Sequence, residues 1–433
     1  MGARRWLSRT AVLVAMLNPA WAADFDLDLE QLNELSPAPG SIINTDNLAR
    51  YAAFIDRDFA HFVDTGAVSL IVAEPLSFPP PEAYIRATAK YRGQTHLAGN
   101  GGTLDGYTQG RPFSGTLDPN DATAGIKAAW NMRYAYTGDS GKLAEIRWQM
   151  RDWKTAKVRA EMLFEGRSMR FMHRLVQPPL PDVAPNPQDA FAAFHMRAVE
   201  AGSYDGTEVL VFANRDESRP LNGWVYLAQP GRSQTLASFS TEEAMFGSDI
   251  RQSDFLIYGG PLPAMRWHYL GTSFMLLPFY RHDQIEPAAR KASKYEYWHA
   301  DFTGHAGCFP KVQWQLRPTL ILEGTATDQA AAVTRRVFYL DAQTYMPAMW
   351  KIYQGDQQLW KLVINAYAHP DFHLAANHGV GAPILTASST IDISAKRCTS
   401  LQLLTLLNPA DLTAADFDSS GIQHSAGRSS RRR

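Results

Sequence analysis

The chain has 433 residues, of which 45% are apolar and 20% are charged, with 42 basic and 43 acidic side chains. This composition is typical of a globular protein and excludes collagen-like, coiled-coil and mostly disordered chains. With a formal net charge of −1, the chain has no global basic field to attract nucleic acid. Its 11 tryptophans, 17 tyrosines and 21 phenylalanines favour β-sheet, because aromatic side chains suit a pleated, half-buried surface.

The N-terminus has the pattern of a secretory signal peptide. Three arginines within the first nine residues precede an apolar run at 10–17, and small residues at positions 20 and 22 form a cleavage site. The apolar run is too short to span a bilayer, although an uncleaved membrane anchor is the alternative. The residue directly after the cleavage site is not a cysteine, so it cannot carry a lipid. We expect cleavage near Ala22 and a soluble protein in a bacterial periplasm.

Apolar residues at helical spacing predict three helices in the first third of the chain. The first is predicted at 46–64, with Asp46 as its N-cap. The second runs from residue 82 to about 91, after two prolines that favour a helix start. The third runs from about 122 to 136 and ends before Gly138.

After about residue 140 the period of the apolar residues changes to two, which predicts β-strands. Short turns separate these strands, and this is typical of an antiparallel meander rather than of alternating strands and helices. Strands are predicted at 144–150, 207–213, 224–228, 266–270, 337–340, 348–353 and 359–367.

One domain is expected after the signal peptide. It covers 23–405, with a helical part to about residue 140 and antiparallel sheet after it. An extension at 406–433 follows and ends in small, polar and basic residues, which predict a disordered basic tail.

The chain has two cysteines, Cys308 and Cys398. In an oxidising compartment a lone pair of cysteines most often forms one disulfide, and two separate buried thiols are the alternative. The bond would close a loop of about 90 residues and contribute on the order of 4 kcal/mol through loop entropy.

Most signatures of catalysis are absent from the sequence, including a dinucleotide fingerprint, a Walker loop and a nucleophile elbow. His299, Asp301, His305 and Cys308 lie within ten positions and carry groups that can bind zinc. Their spacing matches no standard zinc pattern, so a polar loop is the favoured interpretation. We expect no cofactor, no metal and no catalytic residues; a metal-dependent hydrolase that uses this loop is the less favoured alternative.

Aromatic residues on the predicted strands are the remaining candidates for function. Alternation places several of them together on single faces, but the opposite faces are also apolar. A sheet that is apolar on both sides must cover both, with helices, with core side chains, or with an apolar ligand in a cavity. Core packing is the alternative for each residue. The candidate cavity residues are Trp224, Tyr226, Met265, Trp267, Tyr269, Phe338, Trp350, Trp360 and Leu362.

Several segments resemble known proteins. The strand and turn at 224–232 are similar to the W-x-Y-L-P…R pattern of outer-membrane lipoprotein-sorting-like periplasmic proteins. The segment 245–256 resembles their F-x-G-S-D-F…D-L pattern, and 336–361 resembles their D-x-x-T-x-x-P strand and hairpin. The segments 47–66, 81–91 and 118–131 narrow the resemblance to a family of secreted proteobacterial proteins, domain-of-unknown-function family 1329. The match spans the mature chain to about residue 375, whereas 297–310 look atypical.

This resemblance implies a fold and a role. The fold is α+β, with a strongly curved antiparallel sheet, an unclosed barrel, and helices that plug its mouth, as in lipoprotein carriers. The family is associated with resistance-nodulation-division lipid exporters and an outer-membrane partner. We therefore expect a carrier or exporter accessory that binds a lipid-like or other hydrophobic ligand and no nucleic acid. A non-catalytic interaction scaffold with a filled core is the alternative.

Overall fold

The computed structural model describes residues 35–219, 221–228, 231–235, 242–286, 299–355 and 357–418. The predicted signal peptide and the predicted basic tail after residue 418 lie outside these residues. Within them, no helix is long and apolar enough to cross a membrane.

The single helix predicted at 46–64 is wrong, because this segment forms two helices. Helix α1 spans Leu48–Tyr51 and helix α2 spans Arg57–Asp64. Between them the backbone of Ile55 is extended, with φ −130° and ψ 134°. Asp46 therefore does not begin a long helix.

Asp56 begins α2 and explains the break. Its carboxylate accepts hydrogen bonds from the backbone N–H groups of Asp58 and Phe59, both at 3.0 Å, as an N-cap does. The same carboxylate is buried against the ammonium group of Lys351 at 2.8 Å and the hydroxyl of Tyr339. Contacts with the distant sheet thus fix where α2 starts.

The other two predicted helices are present, with slightly shorter bounds. Helix α3 spans Glu82–Lys90, and helix α4 spans Ala124–Arg133. Helix α4 is largely buried, and Trp130 on it is 1% exposed. It approaches the sheet so closely that a Cβ atom at Gly125 would overlap the backbone carbonyl of Trp267. Only glycine fits at this contact.

Because of this contact, we expect a glycine-to-alanine substitution in α4 to destabilise the protein, which is the opposite of its usual effect in a helix. Glycine-to-alanine changes in helix interiors usually stabilise by about 1 kcal/mol. We expect Gly125→Ala to lower the free energy of unfolding by about 1–3 kcal/mol, because the methyl group must displace α4 from the strand. Urea unfolding measures the effect. Gly115→Ala is the control, because its Cβ would meet open space. A stabilised Gly125→Ala variant would contradict the close packing.

The strands are mostly long, and sixteen of those in the described residues belong to one sheet. Two short hairpins, β3 with β4 and β13 with β14, stand apart from it. The strands are β1 Ile42–Ile43, β2 Leu70–Ala73, β3 His96–Ala98, β4 Thr103–Asp105, β5 Ser140–Asp152, β6 Val158–Arg170, β7 Ala190–Glu200, β8 Glu208–Asn214, β9 Asn222–Leu227, β10 Arg232–Thr235, β11 Met265–Leu277, β12 Phe279–Tyr280, β13 Phe302–Thr303, β14 Phe309–Pro310, β15 Gln313–Ala326, β16 Arg335–Asp341, β17 Pro347–Gln354, β18 Gln358–Ala368, β19 Ile384–Asp392 and β20 Arg397–Leu407.

Two antiparallel meanders make up the large sheet. Strands β15 to β20 form one and β5 to β10 form the other, and the pairing of β20 with β5 joins them. Strand β11 pairs with β15, and the short strands β1 and β2 extend that edge. The path ends at β1 and β10, which do not pair with each other. The predicted α+β class, with an unclosed and curved antiparallel sheet, is confirmed.

The predicted disulfide is present. Cys308 and Cys398 are bonded across a sequence separation of 90 residues, with a Cα–Cα distance of 6.0 Å. Both side chains are fully buried. The bond ties the loop before β14 to β20, near the junction of the two meanders.

Candidate functional site

Side chains fill the interior of one half of the sheet. We call this half, which comprises β11 and β15 to β18, the filled half. The rings of Trp267 and Phe338 are 5.8 Å apart, and those of Phe338 and Trp350 are 6.1 Å apart. Seven of the nine predicted cavity residues pack into or against this core, and all but the half-buried Trp360 are buried. The seven are Met265, Trp267, Tyr269, Phe338, Trp350, Trp360 and Leu362.

A cavity of about 740 Å³ lies against the other half, β5 to β10, which we call the hollow half. This volume is within the roughly 300–1,000 Å³ typical of small-molecule sites. The walls are mainly apolar. Strand residues with apolar side chains on the wall include Leu143, Phe194, Met196, Val209, Val211, Val225 and Leu227.

Short side chains on one face of the hollow half leave this space. Residues paired across an antiparallel ladder point to the same face, so three rows of this face follow from the strand register. All of the row residues except Gly166 and Gly223 line the cavity. Glycine, alanine or serine occupies six of the thirteen positions, and the face therefore cannot fill its own concavity. The rows are Gly141, Ser168, Phe194, Val211 and Gly223; Leu143, Gly166, Met196, Val209 and Val225; and Arg170, Ala192 and Ala213.

The opposite wall of the cavity comes from residues 242–259, which we call the covering segment. It contains the sequence pattern that resembles lipoprotein-sorting-like proteins. Phe255 lies 5.7 Å from the ring of Phe194 on β7, and Phe246 lies 4.8 Å from the ring of Phe164 on β6. The apolar side chains of this segment on the wall are Met245, Phe246, Phe255, Leu256 and Ile257.

Asp249 anchors the covering segment at the junction of the two meanders. Its carboxylate accepts hydrogen bonds from the guanidinium of Arg397 and, at 2.9 Å, from the hydroxyl of Thr399. The ammonium group of Lys361 donates to the backbone carbonyl of Asp249 at 2.6 Å. The polar residues of the pattern therefore hold the segment on the sheet while its apolar residues face the cavity.

Asp254 is the second anchor, and it joins the covering segment to the filled half. Its carboxylate accepts from Nε and Nη2 of Arg336 at 3.0 and 2.8 Å, and from Nε1 of Trp350 at 3.0 Å. Burial lowers the pKa of Arg336, but Asp254, Tyr258 and Glu242 together raise it by more, so the pKa lies above its usual value. Arg336 thus stays charged inside the protein.

Charged groups lie at the end of the cavity near the C-terminus of α4. Arg133 is paired with Glu217, at 2.6 Å between Nε and Oε1, and burial raises the pKa of Glu217. The carboxylate of Asp139 accepts hydrogen bonds from three successive backbone N–H groups at 175–177. Arg170 also lines the cavity and is 8% exposed.

The structure places Trp224 and Tyr226, the other two predicted cavity residues, on the face of β9 that points away from the cavity. They belong to a cluster with Phe212 that Leu412 and Phe417 of the C-terminal segment cover. Val225 and Leu227, between and beside them on the same strand, line the cavity instead. None of the nine predicted residues is on its wall, and their role in ligand binding stays a prediction.

The histidine and cysteine loop does not converge on one point. Cys308 is bonded to Cys398, His299 lies 3.3 Å from the carboxylate of Glu145, and His305 contacts the backbone carbonyl of Trp153 at 2.7 Å. Across the described residues, no group of three His, Cys, Asp or Glu side chains is placed to hold a metal ion.

A second cavity, of about 820 Å³, lies beside α2. Charged and imidazole groups contribute to its wall, among them Arg57, Asp58, His61, Asp392 and Lys396. This wall is less suited to an apolar ligand than that of the hollow half.

Comparisons with protein families and solved structures identify the family of this chain. The family model described as "Protein of unknown function (DUF1329)" matches residues 42–420, beyond the residue 375 expected from the sequence. A DUF1329 family protein from Desulfovibrio piger is 15% identical, with 70% of this chain and 99% of that chain covered and a TM-score of 0.47. No curated protein matches the sequence.

Two further solved structures are similar. A putative outer membrane lipoprotein-sorting protein domain from Vibrio parahaemolyticus is 14% identical, with 70% of this chain and 100% of that chain covered and a TM-score of 0.47. A LolA superfamily protein from Nitrosomonas europaea is 11% identical, with 67% and 94% covered and a TM-score of 0.36. The family match spans most of the chain, and the protein belongs to the DUF1329 family.

Proposed function

We propose that this protein is a periplasmic carrier that binds a lipid-like or other hydrophobic ligand in the cavity of the hollow half and catalyses no reaction on it. The observation that carries the proposal is the contrast between the two halves of one sheet. Large side chains fill one half, whereas short side chains leave about 740 Å³ beside the other. A filled scaffold would need no such space.

Shielding from water supplies the driving force for binding. Each methylene group moved from water into an apolar site contributes about 0.8 kcal/mol. Apolar walls on the strands and on the covering segment would surround the chain of a ligand from both sides. The family resemblance extends the proposal to delivery, in which a resistance-nodulation-division exporter and an outer-membrane protein are the partners.

Two measurements test ligand binding. Mass spectrometry of the native protein is expected to find apolar material that stays bound through purification. The delipidated protein is expected to take up a fluorescent fatty-acid probe. A folded protein with neither property would contradict the carrier and favour the interaction scaffold.

A substitution on the cavity wall tests whether the ligand binds at this site. Val211 lies in the central row of the wall, so Val211→Trp places an indole where the ligand would lie. It should displace at least two methylene groups of the ligand, at about 0.8 kcal/mol each, and weaken probe binding by about tenfold or more.

The matched control is Val199→Trp on the neighbouring strand β7. Val199 is 44% exposed and is not on the cavity wall, so uptake of the probe should be unchanged. Circular dichroism and urea unfolding confirm that both variants are folded. Equal loss of uptake in both variants would show a general effect of tryptophan and contradict the assigned site.

A further inference from the structure

Arg170 is a buried cation on the wall of the cavity with few partners. It is the last residue of β6 and pairs with Ala192 of β7 at one end of the cavity. Its Nη2 donates to the backbone carbonyl of Ala135 at 2.6 Å, and the guanidinium lies 5.7 Å from the ring centre of Phe191. Among the described residues, no carboxylate lies within salt-bridge distance of it.

Three other buried arginines, unlike Arg170, have either an ion pair or several hydrogen-bond acceptors inside the protein. Arg317 and Arg336 are each paired with a buried aspartate. Arg174 donates to four backbone carbonyls through three nitrogens. Arg170 has five N–H donors like any arginine. Within the described residues, only the carbonyl of Ala135 accepts a hydrogen bond from its guanidinium group.

The carboxylates near this end of the cavity are engaged elsewhere. Asp139 accepts from the backbone N–H groups of residues 175–177, and Glu217 pairs with Arg133. Glu243 also lines the cavity, but it is exposed, unlike the buried Arg170. The positive charge of Arg170 is therefore not neutralised by a side chain of the described part of the protein.

A buried charge without an opposite charge is costly, whereas a charged hydrogen bond to an anion offsets that cost. We propose that Arg170 binds the anionic head group, a carboxylate or a phosphate, of an amphiphilic ligand. The hydroxyl of Ser168 lies in the next row of the same wall and would face the same group. This inference rests on the proposed function, because the cavity must hold the apolar part of the same ligand.

The register of the strands gives the direction of the ligand. From Ala192, opposite Arg170, the wall continues along β7 through Phe194 to Met196. These four residue steps measure about 13 Å at 3.3 Å per residue. The head group would lie near α4, and the chain would run along β7 beneath Phe255 of the covering segment.

The experiment compares ligands that share one chain and differ in the head group. Calorimetric titration of the delipidated protein with dodecanoate, dodecyl phosphate and dodecanol is expected to show at least about tenfold tighter binding of an anionic probe than of the alcohol. The preferred anion identifies the head group. Acetate and inorganic phosphate test a free anion without a chain and should bind far more weakly.

Arg170→Gln should bring the affinities for the anionic probes and for dodecanol close together and leave dodecanol binding unchanged. Arg167→Gln is the charge-matched control. Arg167 lies on the same strand but pairs with Asp416 and contacts Phe417 on the outer face, so the preference for the anion should persist.

The outcomes separate this inference from the proposed function. Equal binding of dodecanol and of the anionic probes by the unchanged protein would overturn the inference alone, whether or not the Arg170 variant folds. Tight binding of acetate or inorganic phosphate would also overturn it, because the site would then hold a free anion. Failure of every amphiphile to bind would overturn the proposed function and the inference with it.

Discussion

Replacing Asp254 with asparagine is expected to lower the free energy of unfolding by about 3–5 kcal/mol. Asparagine keeps the volume and can still accept from Trp350, but it removes the charge that faces Arg336. Arg336 is 2% exposed and would keep a buried cation whose remaining carboxylate partner is the more exposed Glu242. Removing one partner of a buried ion pair destabilises a protein by more than the intact pair stabilises it, because the remaining charge stays desolvated.

The neighbouring ion pair provides a control within the same strand. Arg335 pairs with Glu323 at 3.0 Å, and both side chains are about one fifth exposed. Glu323→Gln should therefore cost less than about 1 kcal/mol. Urea unfolding of both variants and of Asp254→Asn/Arg336→Met measures the difference, and the double variant should lose less than the sum of its single changes. A cost for Asp254→Asn as small as that for Glu323→Gln would contradict the anchoring role.

The same change should affect the cavity. Asp254 and Asp249 hold the covering segment, and the segment forms one apolar wall. In Asp254→Asn, hydrogen exchange at the backbone amides of 245–257 should become faster than in the rest of the sheet. A bound probe should dissociate faster for the same reason. The buried ion pair is thereby linked to ligand retention as well as to stability.

The sequence predicts which segments are strands better than it predicts which strand face forms the cavity. Alternation correctly separates Trp224 and Tyr226 from Val225 and Leu227 on β9. Both faces are apolar, however, and the choice between them depends on the curvature of the sheet. The C-terminal segment covers the aromatic face, and its Leu412 and Phe417 lie almost 200 residues from β9 in the chain.

One sequence signal for the concave face does exist. Glycine and alanine recur on matching faces of successive strands, at Gly141, Gly166, Ala192, Ala213 and Gly223. Small residues leave space, whereas aromatic residues fill it, so a search for large side chains leads to the core. Placing these small residues on one face requires the strand register, which the sequence alone does not provide.

The break in the first predicted helix also depends on a contact between residues that are distant in the sequence. The apolar spacing at 46–64 is compatible with one helix, but Asp56 lies 2.8 Å from Lys351, 295 residues away. A local pattern contains no information about this ion pair. The signature of the break is a capping residue within the helical pattern, and Asp56 is such a residue.

Removal of the disulfide is the other change with a large expected effect. Cys308→Ala/Cys398→Ala should lower the free energy of unfolding by about 4 kcal/mol, because the bond closes a long loop and restricts the unfolded chain. The two cysteines are 90 residues apart. Neither lines the cavity, so binding of the fatty-acid probe by the folded variant should be unchanged.

Urea unfolding in the presence and absence of a reductant measures the effect and its origin. If the bond acts on the unfolded state, its loss should also steepen the dependence of the unfolding free energy on urea, because a less restricted chain exposes more surface. Reductant should destabilise the unchanged protein as much as the double substitution does and leave the double variant unaffected. An unchanged midpoint in a sample whose two thiols titrate as free would contradict a stabilising bond. If the folded double variant did not bind the probe, the disulfide would instead support the cavity wall, through the pairing of β20 with β5.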